Sequence, residues 1–369
     1  MNNDMQAGAE SDWRQNSIYL VSLVVAFVGL INSYPSYWIV PRMGPFQPEI
    51  VRPLMLGAAV LVVTLKFSFA VGWAKNRPGL KSTGLALDLL ILAVISFALW
   101  RFSVDMLEMV DSMVIFEGSH AAIALMASAA FIILCWRVWG AALAIVGIVT
   151  LFYYFTGPYW PGIFRTAPFD ILSSSAEDLW FNLGEGVVGG ITAILIFTAF
   201  PFVLLGAMLE RTGGAHSLIK IAFHFTRRLR GGPAHAAIVS SALFGTMSGG
   251  AVANVVATGS FTIPMMKKIG YRPHVAAAVE AAASTGGQLM PPIMGAAAFL
   301  MAEFLEIEYQ KVVLAALIPA LLYYFAVFVQ VDLIAAKEKI SVADSDLPDV
   351  RKVLREGWHL IIPFVVLLV

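Results

Sequence analysis

Apolar residues along this chain come in long unbroken runs, and polar residues gather in the short stretches between them. Runs at 18–39, 50–74, 84–101, 120–136, 138–157 and 187–209 each fall within the range of about 17–25 residues that carries an α-helix across a bilayer core. Three longer and more broken segments follow at 233–264, 273–303 and 311–334. A last run from Leu360 to Val369 is too short to span, which reads as a chain that continues in a longer protein. The pattern predicts an all-α, polytopic helical membrane protein. The first run, at 18–30, has the length of a signal-peptide core. No A-x-A site follows it, and Asn32-Ser33-Tyr34-Pro35-Ser36-Tyr37-Trp38 sets aromatic residues where an interfacial belt belongs. It is read as a retained membrane helix.

Charge orients these spans. Loop 75–83 carries Lys75, Arg77 and Lys81, and the turn after 136 carries Arg137. Loop 102–119 carries Asp105, Glu108, Asp111 and Glu117 with no basic residue, and loop 158–186 sets Asp170, Glu177, Asp178 and Glu185 against Arg165 alone. Segment 210–232 is basic again, with Arg211, Lys220, Arg227, Arg228 and Arg230. Short cytoplasmic loops are enriched in Lys and Arg. All the basic loops share one side if the N-terminus is cytoplasmic. Residues 214–230, with Ile219, Ile221 and Phe225 beside Lys220 and Arg227, read as an amphipathic helix on that surface or as a linker helix.

The same rule makes 233–264 anomalous, because Lys267, Lys268 and Arg272 beyond it are also basic. The segment must enter and leave on one side. Its middle reads GTMSGGAVANVVATG, and Gly, Ser and Asn cluster where a tip would turn. It is predicted to be a re-entrant helical hairpin, which is tolerated where irregular backbone is buried in protein or lines a cavity. Segment 273–303 runs from Arg272 to Glu303, Glu306 and Glu308 and so crosses fully. Its centre, Ser284-Thr285-Gly286-Gly287-Gln288-Leu289-Met290-Pro291-Pro292, lacks two backbone donors and weakens the helix before them. A discontinuous helix is predicted there.

A hairpin tip and a helix break at similar depth point to ion chemistry. Half-helix N-termini offer free N–H groups to anions, and unwound carbonyls coordinate sodium. Ser248, Asn254, Thr258, Ser284 and Thr285 add neutral oxygens near the two breaks. Glu280 sits about two turns inside its helix. It is either a functional intramembrane carboxylate or a partner of Arg272 or Lys268. Lys66 and Asp88 snorkel or pair with each other, and Glu210 and Arg211 form a helix-end pair. His216, His224 and His235 lack metal-ligand spacing and are assigned surface or capping roles.

Composition narrows the classes further. Hydrophobic residues make up 59% of the chain and charged ones 13%, against about 25% charged in soluble domains. Net charge is zero, which argues against nucleic acid. Cys135 is the only cysteine, so no internal disulfide forms. No nucleophile elbow, HExxH or Walker A motif is present, so neither an enzyme nor direct use of ATP is expected.

The segments GAMLERTGG (206–214), RGGPAHAAIVSSALFGTMSG (230–249), VANVVATGSFTIPMMKKIGYRP (252–273) and AVEAAASTGGQLMPPIMGAAAFLMAEFL (278–305) resemble the large membrane subunit of TRAP transporters (tripartite ATP-independent periplasmic). They are most similar to the fused type, in which small and large subunits share a chain and which is paired with a TAXI-class binding protein. The resemblance implies an elevator-type secondary transporter in the bacterial inner membrane, with this chain holding the first of two inverted repeats. Residues 1–157 would be small-subunit-like helices and the start of the scaffold, 158–186 a periplasmic connector, and 187–369 the first half of the transport region. It implies sodium-coupled uptake of a small organic anion, such as a dicarboxylate or acidic amino acid, delivered by a periplasmic solute-binding protein. Sodium is the coupling ion and no other cofactor is implied. The sodium site would fall on Ser248, Asn254 and carbonyls at Gly286, Leu289 and Pro291, and the substrate site on Gly249, Gly250, Thr285 and Gly287. The family's tip usually reads SGSSVAN, whereas Gly250 and Ala251 here lack those hydroxyls. Alternative readings are a membrane enzyme or channel built on the same broken helices, or a scaffold or docking subunit in residues 1–157.

Overall fold

The structure, a computed structural model, describes residues 2–33, 46–74, 81–112, 114–211 and 214–340. Every regular element among the described residues is helical, and seven helical stretches are long and apolar enough to cross a membrane: Trp13–Ile31, Pro48–Val71, Lys81–Asp111, Gly118–Trp139, Ala141–Tyr159, Gly190–Met208 and Tyr309–Lys337. The chain divides into two compact units, Met1–Phe197 and Thr198–Val369. The expected aromatic belt at 34–38, the basic residues Lys75 and Arg77 and the last apolar run at 360–369 lie outside the described residues. So do the side chains of Glu210, Arg211 and His216.

The first unit holds α1 (Asn2–Ser33), α2 (Pro48–Lys66), α3 (Phe69–Ala74), α4 (Lys81–Asp111), α5 (Gly118–Trp139), α6 (Ala141–Thr156), α7 (Ile171–Leu179) and α8 (Gly190–Ile194). Its core forms where Ile91, Ile95, Ala98, Leu99 and Phe102 of α4 meet the alanines of α5 and the Trp180-Phe181 pair after α7. The Trp180 indole donates to the Ala98 carbonyl at 3.0 Å, so the ring is buried with its polar end bonded. Outward, Trp100, Trp136, Trp139, Leu143 and Phe152 are exposed. An apolar lateral surface of this extent fits lipid rather than water.

Three sequence expectations change in this unit. The acidic stretch after 101 is not loop: α4 continues to Asp111. Asp105 lies on the same helical face as Ala98 and Phe102 and is fully buried, paired with Arg101 at 2.9 Å and beside His120 at 3.4 Å. The run 50–74 is divided at Phe67-Ser68 into α2 and α3. Asp88 does not pair with Lys66. Its carboxylate accepts from the Ser68 hydroxyl (2.6 Å) and from the N–H groups of Phe69 (3.1 Å) and Ala70 (3.3 Å), the first donors of α3. Those orphan donors need a partner, and an acid at a helix N-terminus supplies one. Lys66 instead lies over the Phe67 ring.

The second unit holds α9 (Phe200–Arg211), α10 (Gly214–Thr226), α11 (Gly232–Ser248), α12 (Ala251–Lys268), α13 (Pro273–Gly286), α14 (Ala296–Phe304) and α15 (Tyr309–Lys337). α10 is amphipathic, with Leu218, Ile219, Ala222 and Phe223 buried, but Phe225, expected on the apolar side with Ile219 and Ile221, is exposed. α11 and α12 form a helical hairpin. They are joined through Gly249 and Gly250, and their open ends meet where a Cβ on Gly231 would stand 2.2 Å from the Tyr271 hydroxyl. At 17 and 18 residues these helices are each about 25 Å long at 1.5 Å per residue. His235 departs from its expected surface or capping role. It is fully buried, its ring centroid 4.2 Å from that of Phe328.

The predicted helix break is present. α13 stops at Gly286 and α14 begins at Ala296. Tight turns carry the chain between them, with N–H groups of Gly287, Gln288 and Leu289 donating three residues back. The last carbonyls of a helix lack intrahelical partners. Here Tyr323 and Tyr324 of α15 donate to the carbonyls of Ala282 (2.9 Å) and Ala283 (3.1 Å). Those two hydroxyls hold the end of α13 where the sequence interrupts it.

Candidate functional site

The hairpin tip and the helix break are packed onto each other. A Cβ on Gly245 would lie 2.4 Å from the Cα of Gly287, and one on Gly249 would lie 1.8 Å from the Met294 carbonyl oxygen. Gly249 also needs its freedom for conformation: it closes α11 in the left-handed region at φ 60°, its N–H donating to the Gly245 carbonyl. Gly250 follows with an ordinary extended backbone and no atom closer than 3.7 Å to where its Cβ would stand. The break loop is fastened from its other side. The Tyr309 hydroxyl lies 2.7 Å from the Pro292 carbonyl and 2.8 Å from that of Ile293, and the Tyr309 ring stacks on Phe299 at 4.5 Å.

The residues expected to hold sodium fall around this junction. The Ser248 hydroxyl oxygen is buried and has no hydrogen-bond partner among the described residues. The carbonyls of Leu289 and Pro291 receive no hydrogen bond among the described residues, whereas that of Gly286 accepts the Leu289 N–H at 3.0 Å. Asn254 is fully buried, and its amide nitrogen donates to the Ser241 carbonyl at 2.9 Å and reaches the Ser284 carbonyl at 3.5 Å. That nitrogen also lies 2.8 Å from where a Cβ on Gly287 would stand, so Asn254 ties the hairpin to the start of the break. Of the residues expected to meet substrate, Gly249 and Gly287 are buried at the junction. Thr285 faces outward and its hydroxyl donates back to the Ala281 carbonyl at 2.7 Å.

A second polar cluster lies deeper, between α11, α12 and α13. Glu280 is fully buried and among the described residues pairs with neither Lys268 nor Arg272, the latter bonding Glu338 at 2.9 Å. The Glu280 carboxyl meets Thr258 at 2.5 Å, Thr262, Ser284 at 3.2 Å and Ser241 at 3.4 Å. Ser241 and Thr262 were not singled out from the sequence. The available signal was spacing: Asn254, Thr258 and Thr262 recur every four residues along α12, as Glu280 and Ser284 do on α13, so each set forms a polar stripe on one face of an apolar helix. Among the described residues, no group of His, Cys, Asp and Glu is arranged to hold a metal ion through those ligands.

Membrane-length helices, an apolar outer surface and a hairpin abutting a broken helix define a polytopic helical membrane protein. The chain belongs to the family described as the tripartite ATP-independent periplasmic transporter, DctM component, whose sequence model matches residues 125–369. It is 34% identical over 143 residues to the C4-dicarboxylate TRAP transporter large permease protein of Pseudomonas aeruginosa, covering 38% of this chain and 33% of that one. It is 30% identical over 178 residues to the isethionate TRAP transporter permease protein of Oleidesulfovibrio alaskensis, covering 46% and 27%. The ectoine TRAP transporter large permease protein of Halomonas elongata is 32% identical over 114 residues, covering 31% and 27%. The chain therefore spans a third or less of the length of these relatives. They are transport permeases, not enzymes, and the membrane-length helices agree with that.

Proposed function

We propose that this chain forms part of the membrane component of a sodium-coupled TRAP transporter that takes up a small organic anion, such as a dicarboxylate or acidic amino acid, delivered by a periplasmic solute-binding protein. The observation that carries this reading is the junction of hairpin tip and helix break, where the Ser248 hydroxyl is buried and, among the described residues, has no partner, and the carbonyls of Leu289 and Pro291 accept no hydrogen bond. Neutral oxygens of this kind suit sodium, and they gather where half-helices end. Ser248, the Asn254 amide oxygen and the carbonyls of Gly286, Leu289 and Pro291 are assigned to the ion. Gly249, Gly250, Thr285 and Gly287 are assigned to the substrate side. The hairpin is re-entrant in this reading, the N-terminus is cytoplasmic in the bacterial inner membrane, and the α11–α13 region moves as one arm of an elevator. Residues 1–157 are assigned to the small-subunit part of a fused permease, 158–186 to a periplasmic connector and 187–369 to the first half of the transport region.

The test is uptake by the intact transporter with its binding protein, with and without a sodium gradient. Ser248→Ala removes a hydroxyl that bonds nothing else among the described residues, and it is expected to raise the sodium concentration for half-maximal uptake without changing membrane insertion. Asn254→Leu is expected to abolish sodium-dependent uptake while leaving insertion intact. Unaltered sodium dependence in both variants would refute the site.

A further inference from the structure

Glu280 is fully buried in the interior of a membrane protein, and among the described residues no charged side chain pairs with it. The elements packed around it carry few candidates. On α11, His235 lies against Phe328 and the Gly231 carbonyl. On α12, Lys267 and Lys268 stand in the last turn. At the start of α13, Arg272 is taken by Glu338, and His274 stands in the first turn. On α15, Tyr323 and Tyr324 donate to backbone carbonyls of α13. None of these bonds Glu280 among the described residues. An ionised carboxylate buried with only neutral hydroxyl partners is costly.

Counting hydrogens over the closest contacts favours the protonated state. Thr258 has one hydroxyl hydrogen, and its oxygen lies 2.8 Å from the Asn254 carbonyl and 2.5 Å from Glu280 Oε1. Thr262 also has one, and its oxygen faces the Thr258 carbonyl at 3.1 Å and Glu280 Oε2. A hydrogen between its two oxygens stabilises each of these four close pairs, since two bare oxygens repel. With Glu280 ionised, two of the four contacts have none. With Glu280 protonated at Oε2 and donating to Thr262, only one is left short. A cation does not fit as well. One of the size of calcium, which sodium matches, holds oxygens at about 2.3–2.6 Å from itself and would push these oxygens apart.

We propose that Glu280 is a proton-binding site: a neutral carboxylic acid whose hydrogen completes the oxygen cluster between α11, α12 and α13, and whose loss loosens the hairpin from α13. This does not rest on the sodium site at the hairpin tip, which uses other residues. The chemistry is proton binding and release at a single carboxyl oxygen, with Thr258, Thr262, Ser241 and Ser284 as its neutral partners.

The test is infrared spectroscopy of the purified protein in lipid nanodiscs at neutral pH, with and without carbon-13 glutamate. A protonated-carboxyl C=O band that shifts with the glutamate label is expected in the wild type and is expected to be missing from Glu280→Gln. Wild-type thermal stability is expected to fall as pH is raised through the loss of that band, while the stability of Glu280→Gln stays level across the same range. A wild type with no label-sensitive protonated band at neutral pH overturns the proposal. So does a band that persists in Glu280→Gln. If Glu280→Gln fails to fold, the labelled wild-type band and the agreement of its alkaline loss with the stability loss decide the matter, presence and agreement supporting the proposal and absence of either sinking it.

Discussion

Gly245 and Gly287 meet backbone to backbone: a Cβ on the first would lie 2.4 Å from the Cα of the second, and a Cβ on the second 3.0 Å from the Cα of the first. One glycine belongs to the hairpin and the other begins the helix break. Their contact brings two interrupted elements close enough for Asn254 to reach the Ser241 and Ser284 carbonyls.

Gly245→Ala separates this contact from helix propensity. Inside α11, propensity alone would favour Ala over Gly by about 1 kcal/mol. Collision with the Gly287 backbone, which has no flexible end to move aside, costs about 1–3 kcal/mol. The expected net effect is destabilising, read as a lowered thermal midpoint in detergent together with reduced uptake. A raised midpoint would show that hairpin and break are not packed this way.

The two glycines of the tip are predicted to behave oppositely. Gly249 has φ 60° and no space, its Cβ falling 1.8 Å from the Met294 carbonyl oxygen. Gly249→Ser should therefore disrupt the junction and abolish uptake. Gly250 has an ordinary backbone and open space around its Cβ. Gly250→Ser should keep stability within about 0.5 kcal/mol of wild type, as surface changes do. By adding a hydroxyl at the tip it should also lower the sodium concentration for half-maximal uptake. Equal loss of uptake in both variants would contradict the geometry.

The hairpin and the break were legible because their signals are local. Gly249-Gly250 and Pro291-Pro292 interrupt apolar runs, and the basic residues on both sides of 233–264 suggest a segment that returns on itself. What escaped was set by contacts distant in sequence. Glu280 bonds Thr258 and Thr262, 22 and 18 residues back, and Ser241, 39 residues back, so apart from Ser284 four residues on, its partners are not neighbours in the chain. Asp105 falls in a stretch that reads as loop, because acids mark loops on average. Its burial depends on Arg101 and on His120 from the next helix. Asp88 likewise serves a helix start that lies 18–20 residues before it.

Asp88 gives a prediction for the first unit. Its carboxylate caps α3 while Arg137 reaches over the same turn to the carbonyls of Phe67 (2.6 Å) and Ser68 (2.5 Å). Asp88→Ala should cost about 0.5–2 kcal/mol, the range for losing an N-cap. Asp88→Asn, which keeps an acceptor oxygen, should cost less. Thermal unfolding of the two variants checks the order, and a reversed order would argue against the cap.

The last prediction concerns how the hairpin meets the bilayer. α11 and α12 return to a common end, where Gly231 meets Tyr271, so Arg228 and Lys268 must lie on one side. In the proposed reading that side is cytoplasmic, as the charge pattern implies. In the same reading α13 and α14 together carry the chain across, with Glu306 on the periplasmic face. Because Cys135 is the only cysteine, a Cys135→Ser background allows single reporters. Arg228→Cys and Lys268→Cys should react with a membrane-impermeant thiol reagent only from the cytoplasmic side of oriented vesicles, and Glu306→Cys only from the other. Labelling of Arg228→Cys and Lys268→Cys from opposite sides would break the hairpin. Labelling of Glu306→Cys from the same side as both would mean that the broken helix does not cross, and the ion site would then lose its place at the middle of the membrane.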